Sequence, residues 1–321
     1  MLLLLGTLSP IMETAQTNAK ARPAAEPNNS DMRRLRLDLA YDGTDFHGWA
    51  RQKPGADGPV RTVQETLEDA LSTILRVPVR LTVAGRTDAG VHAAAQVAHC
   101  DIPASSLDQR TIDGDPTRLV RRLGRFLPED VRVDQVTFAP EHFDARFSAL
   151  ARTYHYRVTT HPGGPLPMRV RDTAHWIKPV DAEAMQEVAD ALVGLHDFAA
   201  FCKPRPHSTT IRDVQSFTWR DISTPYEPQL YVAEITADAF CWNMVRALVG
   251  ASLVVGEGRR DEAWTQLLLG QQQRSPDVPL APARGLTMMG VTYPADDQLA
   301  ARNAMTRDKR DPDEVQAQSN T

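Results

Sequence analysis

The feature that most constrains this chain is a two-residue alternation of apolar side chains that keeps returning, each time followed by a stretch with helical spacing. Leu35, Leu37, Leu39 and Tyr41 alternate with Arg36, Asp38 and Ala40, the pattern of a strand with one buried face. Val63, Leu67, Leu71, Ile74 and Leu75 then recur at helical spacing behind the capping-box string Thr62-Val63-Gln64-Glu65, and that helix ends before Pro78. Val79, Leu81 and Val83 make a second alternating strand, residues 96–100 resume extended character, and 131–138 make a further strand after a helix opened by Asp115-Pro116. The second half repeats the scheme. A β-rich run over 143–160 precedes a helix capped by Asp181, strands near 214–219 and 231–235, a strongly apolar helix over 244–255 and a closing strand over 286–293. This order predicts an α+β fold, and 321 residues is long for one core, so two domains or one domain with two similar halves are expected. The boundary falls near Ala139-Pro140, giving units 32–140 and 141–294, with a disordered extension over 1–31 and a disordered tail over 295–321.

Composition excludes little: 42% hydrophobic and 24% charged residues describe an ordinary globular protein. The opening Met1-Leu2-Leu3-Leu4-Leu5 lacks a preceding positive charge and ends at Gly6, short of a secretory segment. Cys100, Cys202 and Cys241 show neither metal-site spacing nor an even count, and read as reduced cytosolic thiols. The net charge is −5; residues 1–30 carry zero and 294–321 carry −2, leaving −3 on the remainder. Nucleic-acid binding by such a chain requires basic residues gathered on one face, since local potential is what neutralises phosphates. Arg118, Arg121, Arg122 and Arg125 crowd one side of a helix, either as part of that face or as an ordinary solvated one.

Between two strands lies Gly85-Arg86-Thr87-Asp88-Ala89-Gly90-Val91-His92. Its bracketing glycines permit positive φ and close approach to a ligand, so a carboxylate and a guanidinium are displayed on a constrained loop. By residue type alone the commoner reading is a structural turn in which Asp88 caps the next segment.

The string Ala84-Gly85-Arg86-Thr87-Asp88-Ala89-Gly90-Val91-His92-Ala93 resembles the signature of the tRNA pseudouridine synthase A (TruA) family, whose aspartate is catalytic. The resemblance continues in order through Tyr41-Asp42-Gly43, Phe46-His47-Gly48-Trp49-Ala50-Arg51-Gln52, Val63-Gln64-Glu65, residues 144–149 and 240–246, and covers about 33–293. It implies two similar ferredoxin-like or RNP-like halves with a mixed, mainly antiparallel sheet flanked by helices, a central RNA-binding cleft and a cytoplasmic homodimer. It also implies isomerisation of uridine to pseudouridine at positions 38, 39 and 40 of the tRNA anticodon stem-loop, with no cofactor and no metal. Asp88 is the implied catalyst, acting as nucleophile at the sugar or as base at C2′, a choice the residues leave open. Arg246 is the implied cation that keeps Asp88 ionised against burial, and Tyr154 the implied tyrosine beside the uracil and candidate acceptor of the C5 proton. Without the resemblance, Tyr154 reads as a strand core aromatic. Arg86 is placed to hold the flipped nucleotide, with Thr87, His92 and Arg51 as further candidate RNA contacts; His92 is equally a structural residue. The chain departs from the family pattern at Cys202, where a basic residue is frequent, and at Cys241-Trp242-Asn243, which replaces a more polar stretch.

Two other function classes fit parts of the pattern. A non-catalytic RNA-binding protein on this scaffold would not need a carboxylate facing phosphates, and a glycosidase would ordinarily offer a second acid.

Overall fold

The computed structural model describes residues 31–54, 58–205 and 209–307. Ten strands form one sheet. In the first half these are β1 (Met32–Tyr41), β2 (Thr82–Val83), β3 (His92–Pro103) and β4 (Val131–Phe138), with helices α1 (Val63–Leu75) and α2 (Leu119–Phe126). The second half holds β5 (Ala151–Thr159), β6 (Ala174–His175), β7 (Gly194–Asp197), β8 (Ile211–Asp221), β9 (Leu230–Ala237) and β10 (Leu286–Thr292). Its helices are α3 (Ala182–Ala191), α4 (Met244–Gly256) and α5 (Glu262–Leu269), with α6 (Leu299–Arg307) following. The strand order is β4-β1-β3-β10-β5-β9-β8-β7, with β2 beside β3 and β6 beside β5.

Both halves carry the same β-α-β-β-α-β arrangement. Taking each half's four principal strands in chain order, β4-β1-β3-β2 and β10-β5-β9-β8 both read fourth-first-third-second, with a helix after the first strand and another after the third. That is the ferredoxin-like order expected from the resemblance. All pairings are antiparallel except β5 with β6 and β10 with β3. The β10–β3 contact joins the halves through two residue pairs, Thr287 with His92 and Met288 with Ala93. Higher along β3, Thr82 and Val83 of β2 pair with His99 and Ala98. The edge of β3 is therefore shared between β2 and β10, and the Gly85–Gly90 loop leaves β2 where β10 takes over.

The alternation in β1 buries Leu35, Leu37 and Leu39 completely, each contributing about 1.5–3 kcal/mol. Thr62 caps α1 by accepting from the Glu65 amide at 3.4 Å, and Asp181 caps α3 through the amides of Glu183 and Ala184. Every residue of α4 except Arg246 is buried, as an all-round apolar helix requires.

Three expectations are corrected. The second strand was expected over 79–83, but only Thr82 and Val83 pair, although Val79 and Leu81 remain buried. The polar stretch after Pro294 was expected to be disordered, yet α6 docks: Leu299 is 1% exposed, Arg302 donates to the Ala149 carbonyl at 2.9 Å and Asn303 to the His142 carbonyl at 2.6 Å. The cysteines were expected as three separate thiols, but a Cys202–Cys241 disulfide joins segments 39 residues apart with Cα atoms 5.8 Å from each other, leaving Cys100 as a buried thiol. Sequence spacing carries no information about a contact made by packing the chain beyond β7 against the start of α4. Of the N-terminal extension expected over 1–31, residues 1–30 lie outside the described residues.

Candidate active site

The loop from Ala84 to Val91 has no regular secondary structure for most of its length, so its shape depends on where its main-chain groups are bonded. The Ala84 amide donates to Val97 at 2.9 Å, and the Ala84 carbonyl accepts from Arg152 Nη2 at 3.0 Å. Gln96, fully buried, donates to the Gly85 carbonyl at 2.8 Å. The Thr87 carbonyl accepts from the Trp49 amide at 3.0 Å, and its hydroxyl lies 2.7 Å from that of Tyr41. Val91 donates to Asp88 at 3.1 Å and Gly90, at φ +76°, donates to Phe46 at 3.3 Å. The loop is thus fixed before any substrate arrives, as a catalytic carboxylate requires.

Glycine is used here in two different ways. Gly90 occupies the left-handed region, whereas Gly85 serves by closeness, since a Cβ there would lie 3.2 Å from Met288 and 3.7 Å from the Tyr154 hydroxyl. Met288 is registered with Ala93 on one side and with Tyr154 on the other, so the loop crosses above the row where the two halves meet. Gly43, from the Tyr41-Asp42-Gly43 string, lets the neighbouring backbone pass: a Cβ would stand 2.0 Å from the Val91 carbonyl oxygen.

Asp88 is half-buried in this arrangement. Burial pushes its carboxyl above the ordinary aspartate range; Arg246 opposes this most strongly, followed by a hydrogen bond from the Trp242 indole and the charges of Arg205 and Lys203. The cation inferred from resemblance therefore faces the carboxylate from a segment 158 residues away in sequence. Arg246 is the third residue of α4, following Asn243 at φ +70°, and its Nε donates to the Ala281 carbonyl at 2.7 Å. Desolvation lowers its own pKa, and the first turn of a helix already presents positive amides. A cation there works against stability unless an anion faces it, and the charge of Asp88 is the first to oppose that desolvation.

Tyr154 lies on β5, 7% exposed, with its ring 5.2 Å from that of Phe240 in an edge-on arrangement. Burial, and then the neighbouring Tyr41, push its phenol well above the usual range, so it stays protonated near neutral pH. Arg86 is exposed and has no ion-pair partner among the described residues.

Three further candidate RNA contacts are engaged within the protein. Thr87 is 7% exposed and both its hydroxyl and carbonyl are engaged as described. His92 is 6% exposed; its Nδ1 accepts from the Gly43 amide at 3.0 Å and its Nε2 faces the Arg284 carbonyl at 3.1 Å, making it a clasp between the halves. Arg51 lies among Glu65, Glu68 and Asp69 at 3.4, 3.6 and 3.0 Å, so its charge is already neutralised within the first half. The arginines of α2 and the turn before it behave as a solvated face in part, with Arg118 paired to Asp113 at 3.2 Å and Arg122 bonded to Gln109 and Thr111.

The sequence reading singled out Trp242 but missed Arg152, Gln96 and the cations Lys203 and Arg205 that gather on its ring. Arg152, 8% exposed, donates to the carbonyls of Ala84, Arg146 and Asp238, tying the loop to two segments of the second half. A charged residue opening an otherwise alternating strand was the available signal.

Comparison with known proteins identifies the family to which this chain is similar. A family described as "tRNA pseudouridine synthase" matches residues 188–294. A protein of Corynebacterium glutamicum named tRNA pseudouridine synthase A is 62% identical over 278 residues, covering 87% of this chain and 95% of its own. Proteins of the same name from Mycobacterium leprae and Frankia casuarinae are 50% and 51% identical, covering 88% and 87% of this chain and 98% and 96% of their own. Identity at this level along nearly the whole described chain means that it belongs to the tRNA pseudouridine synthase A family.

Proposed function

We propose that this protein isomerises uridine to pseudouridine in tRNA, at positions 38, 39 and 40 of the anticodon stem-loop. The observation that carries this reading is a single carboxylate, Asp88, held on a bonded loop between the two halves and opposed by Arg246, with Tyr154 alongside. The reaction breaks N1–C1′, turns the uracil and joins C5 to C1′. The proton leaving C5 is balanced by one gained at N1, so no oxidant, group donor or metal enters the balance.

Asp88 acts in its ionised form, attacking C1′ or removing the C2′ proton. Desolvation makes its carboxylate more basic, while Arg246 and Trp242 keep a usable fraction ionised. Because the Tyr154 phenol stays protonated, it packs against the uracil, and the C5 proton goes to a group already basic, for which Asp88 is the available carboxylate. The target nucleotide leaves its stacked position to reach Asp88, and exposed Arg86 at the loop holds it. Family likeness supports a cytoplasmic homodimer; no helix among the described residues is long and apolar enough to cross a membrane.

The test is incubation with tRNA transcripts carrying uracil labelled with tritium at C5, followed by mapping of the product. Release of tritium with pseudouridine confined to 38–40 is expected. Free uracil would replace this reading with glycoside hydrolysis, and binding without release would replace it with a non-catalytic RNA-binding role.

A further inference from the structure

Most arginines in ion pairs here face a carboxylate close by, as Arg34 with Asp101, Arg61 with Asp130 and Arg157 with Glu227 do at 2.6–2.9 Å. A cluster of cations near Asp88 does not. Lys203, Arg205, Arg86 and Arg146 are exposed, and none forms an ion pair within 4 Å among the described residues. Two of them converge on one indole: Lys203 Nζ lies 4.1 Å from the Trp242 ring centroid and Arg205 Cζ 4.4 Å from it. The Lys203 amide donates to the Trp242 carbonyl at 2.9 Å, and the adjacent Cys202–Cys241 disulfide fastens the same two segments, so ring and cations form one unit.

We infer that Lys203 and Arg205, seated on Trp242 and supplemented by Arg86 and Arg146, form a binding site for the RNA phosphodiester next to the target uridine. This rests on the proposed reaction and names the part of the substrate that the site grips. Burial first, and then the like charges of Arg86 and Arg146, depress the pKa of Arg205, while Asp88 is the acid that opposes them. Like charges that outnumber the one carboxylate beside them are relieved by a further anion, and a phosphodiester is the anion an RNA substrate brings. Trp242, Arg205 and Lys203 all lower the Asp88 pKa, so the unit that grips the phosphate acts on the carboxylate that must meet the same nucleotide's C1′. A chain of net charge −5 can meet a polyanion through such a local gathering of cations, because local potential and not net charge acts on phosphates.

The experiment is the salt dependence of affinity for an unmodified tRNA transcript, comparing the full chain with the double variant Lys203→Gln/Arg205→Gln. The pair Arg121→Gln/Arg125→Gln, on the exposed face of α2, is the control. The double variant is expected to bind about tenfold more weakly at low salt, with the slope of log affinity against log salt reduced by about 1, while the control matches wild type. Wild-type affinity and slope in a double variant that melts like wild type would overturn the subsite. A wild type that binds with the expected slope difference yet makes no pseudouridine would instead overturn the proposed reaction and leave the subsite standing.

Discussion

Arg152→Met is the substitution whose effect the structure defines most fully. It keeps most of the side-chain length and apolar stem but removes bonds to Asp238 at 2.6 Å, Arg146 at 2.8 Å and Ala84 at 3.0 Å, all made by a guanidinium 8% exposed. Bonds from a charged donor are worth about 1.5–3 kcal/mol each, so the gross loss is roughly 5–9 kcal/mol. Against this stands the desolvation of the guanidinium, which already lowers its pKa and costs several kcal/mol for a buried charge. The expected net destabilisation is about 2–4 kcal/mol, read by urea unfolding as a lower midpoint with an unchanged slope. The functional consequence is larger. The Ala84 carbonyl begins the loop that carries Asp88, and a displacement near 1 Å costs about a hundredfold in rate. Single-turnover tritium release under conditions where the variant is folded should fall by about that factor. A folded Arg152→Met enzyme within threefold of wild type would refute the claim that this arginine sets the loop.

Other perturbations have defined outcomes. Arg246→Met removes the charge that most lowers the Asp88 pKa, and activity requires the ionised form, so the acid limb of kcat/KM should move to higher pH and activity recover as pH rises; a limb that stays in place would separate Arg246 from Asp88. Gly43→Ala places a Cβ 2.0 Å from the Val91 carbonyl oxygen, a backbone atom that does not yield, so turnover should fall at least a hundredfold with a lower melting temperature, and wild-type values would contradict the close approach. Thiol titration of the denatured, unreduced protein should count one cysteine, rising to three after reduction, and opening the Cys202–Cys241 link should cost about 4 kcal/mol for a separation of 39 residues; three thiols at the outset would contradict the disulfide.

Much of this architecture was legible in the sequence because local physics wrote it there. The Leu35-to-Tyr41 alternation, the Thr62 and Asp181 caps and the apolar run of α4 each became the expected element. What stayed hidden depends on segments distant in sequence. Nothing in Thr287-Met288 announces a parallel pairing with His92-Ala93, yet that pairing joins the halves beneath the loop. The helix α6 was missed because only Leu299 is deeply buried and its other anchors, Arg302 and Asn303, look like surface residues. At the site, the loop glycines and Asp88 stand out as a motif, whereas Arg152 bonds only to carbonyls and Trp242 finds its cations some 40 residues earlier. Thr87, His92 and Arg51 belong to matching strings, and the contacts they make within the protein, to the loop, between the halves and to α1, are a further role that those strings do not announce.

The central claim is that the ionised Asp88 carboxylate performs the chemistry and is not a capping residue of its turn. Asp88→Asn preserves size and hydrogen-bonding capacity while abolishing charge and nucleophilicity, and single-turnover tritium release from C5-labelled tRNA, measured beside tRNA affinity, reads the two roles separately. The account predicts binding within a few-fold of wild type and no detectable release, whereas release at a rate comparable to wild type would contradict it.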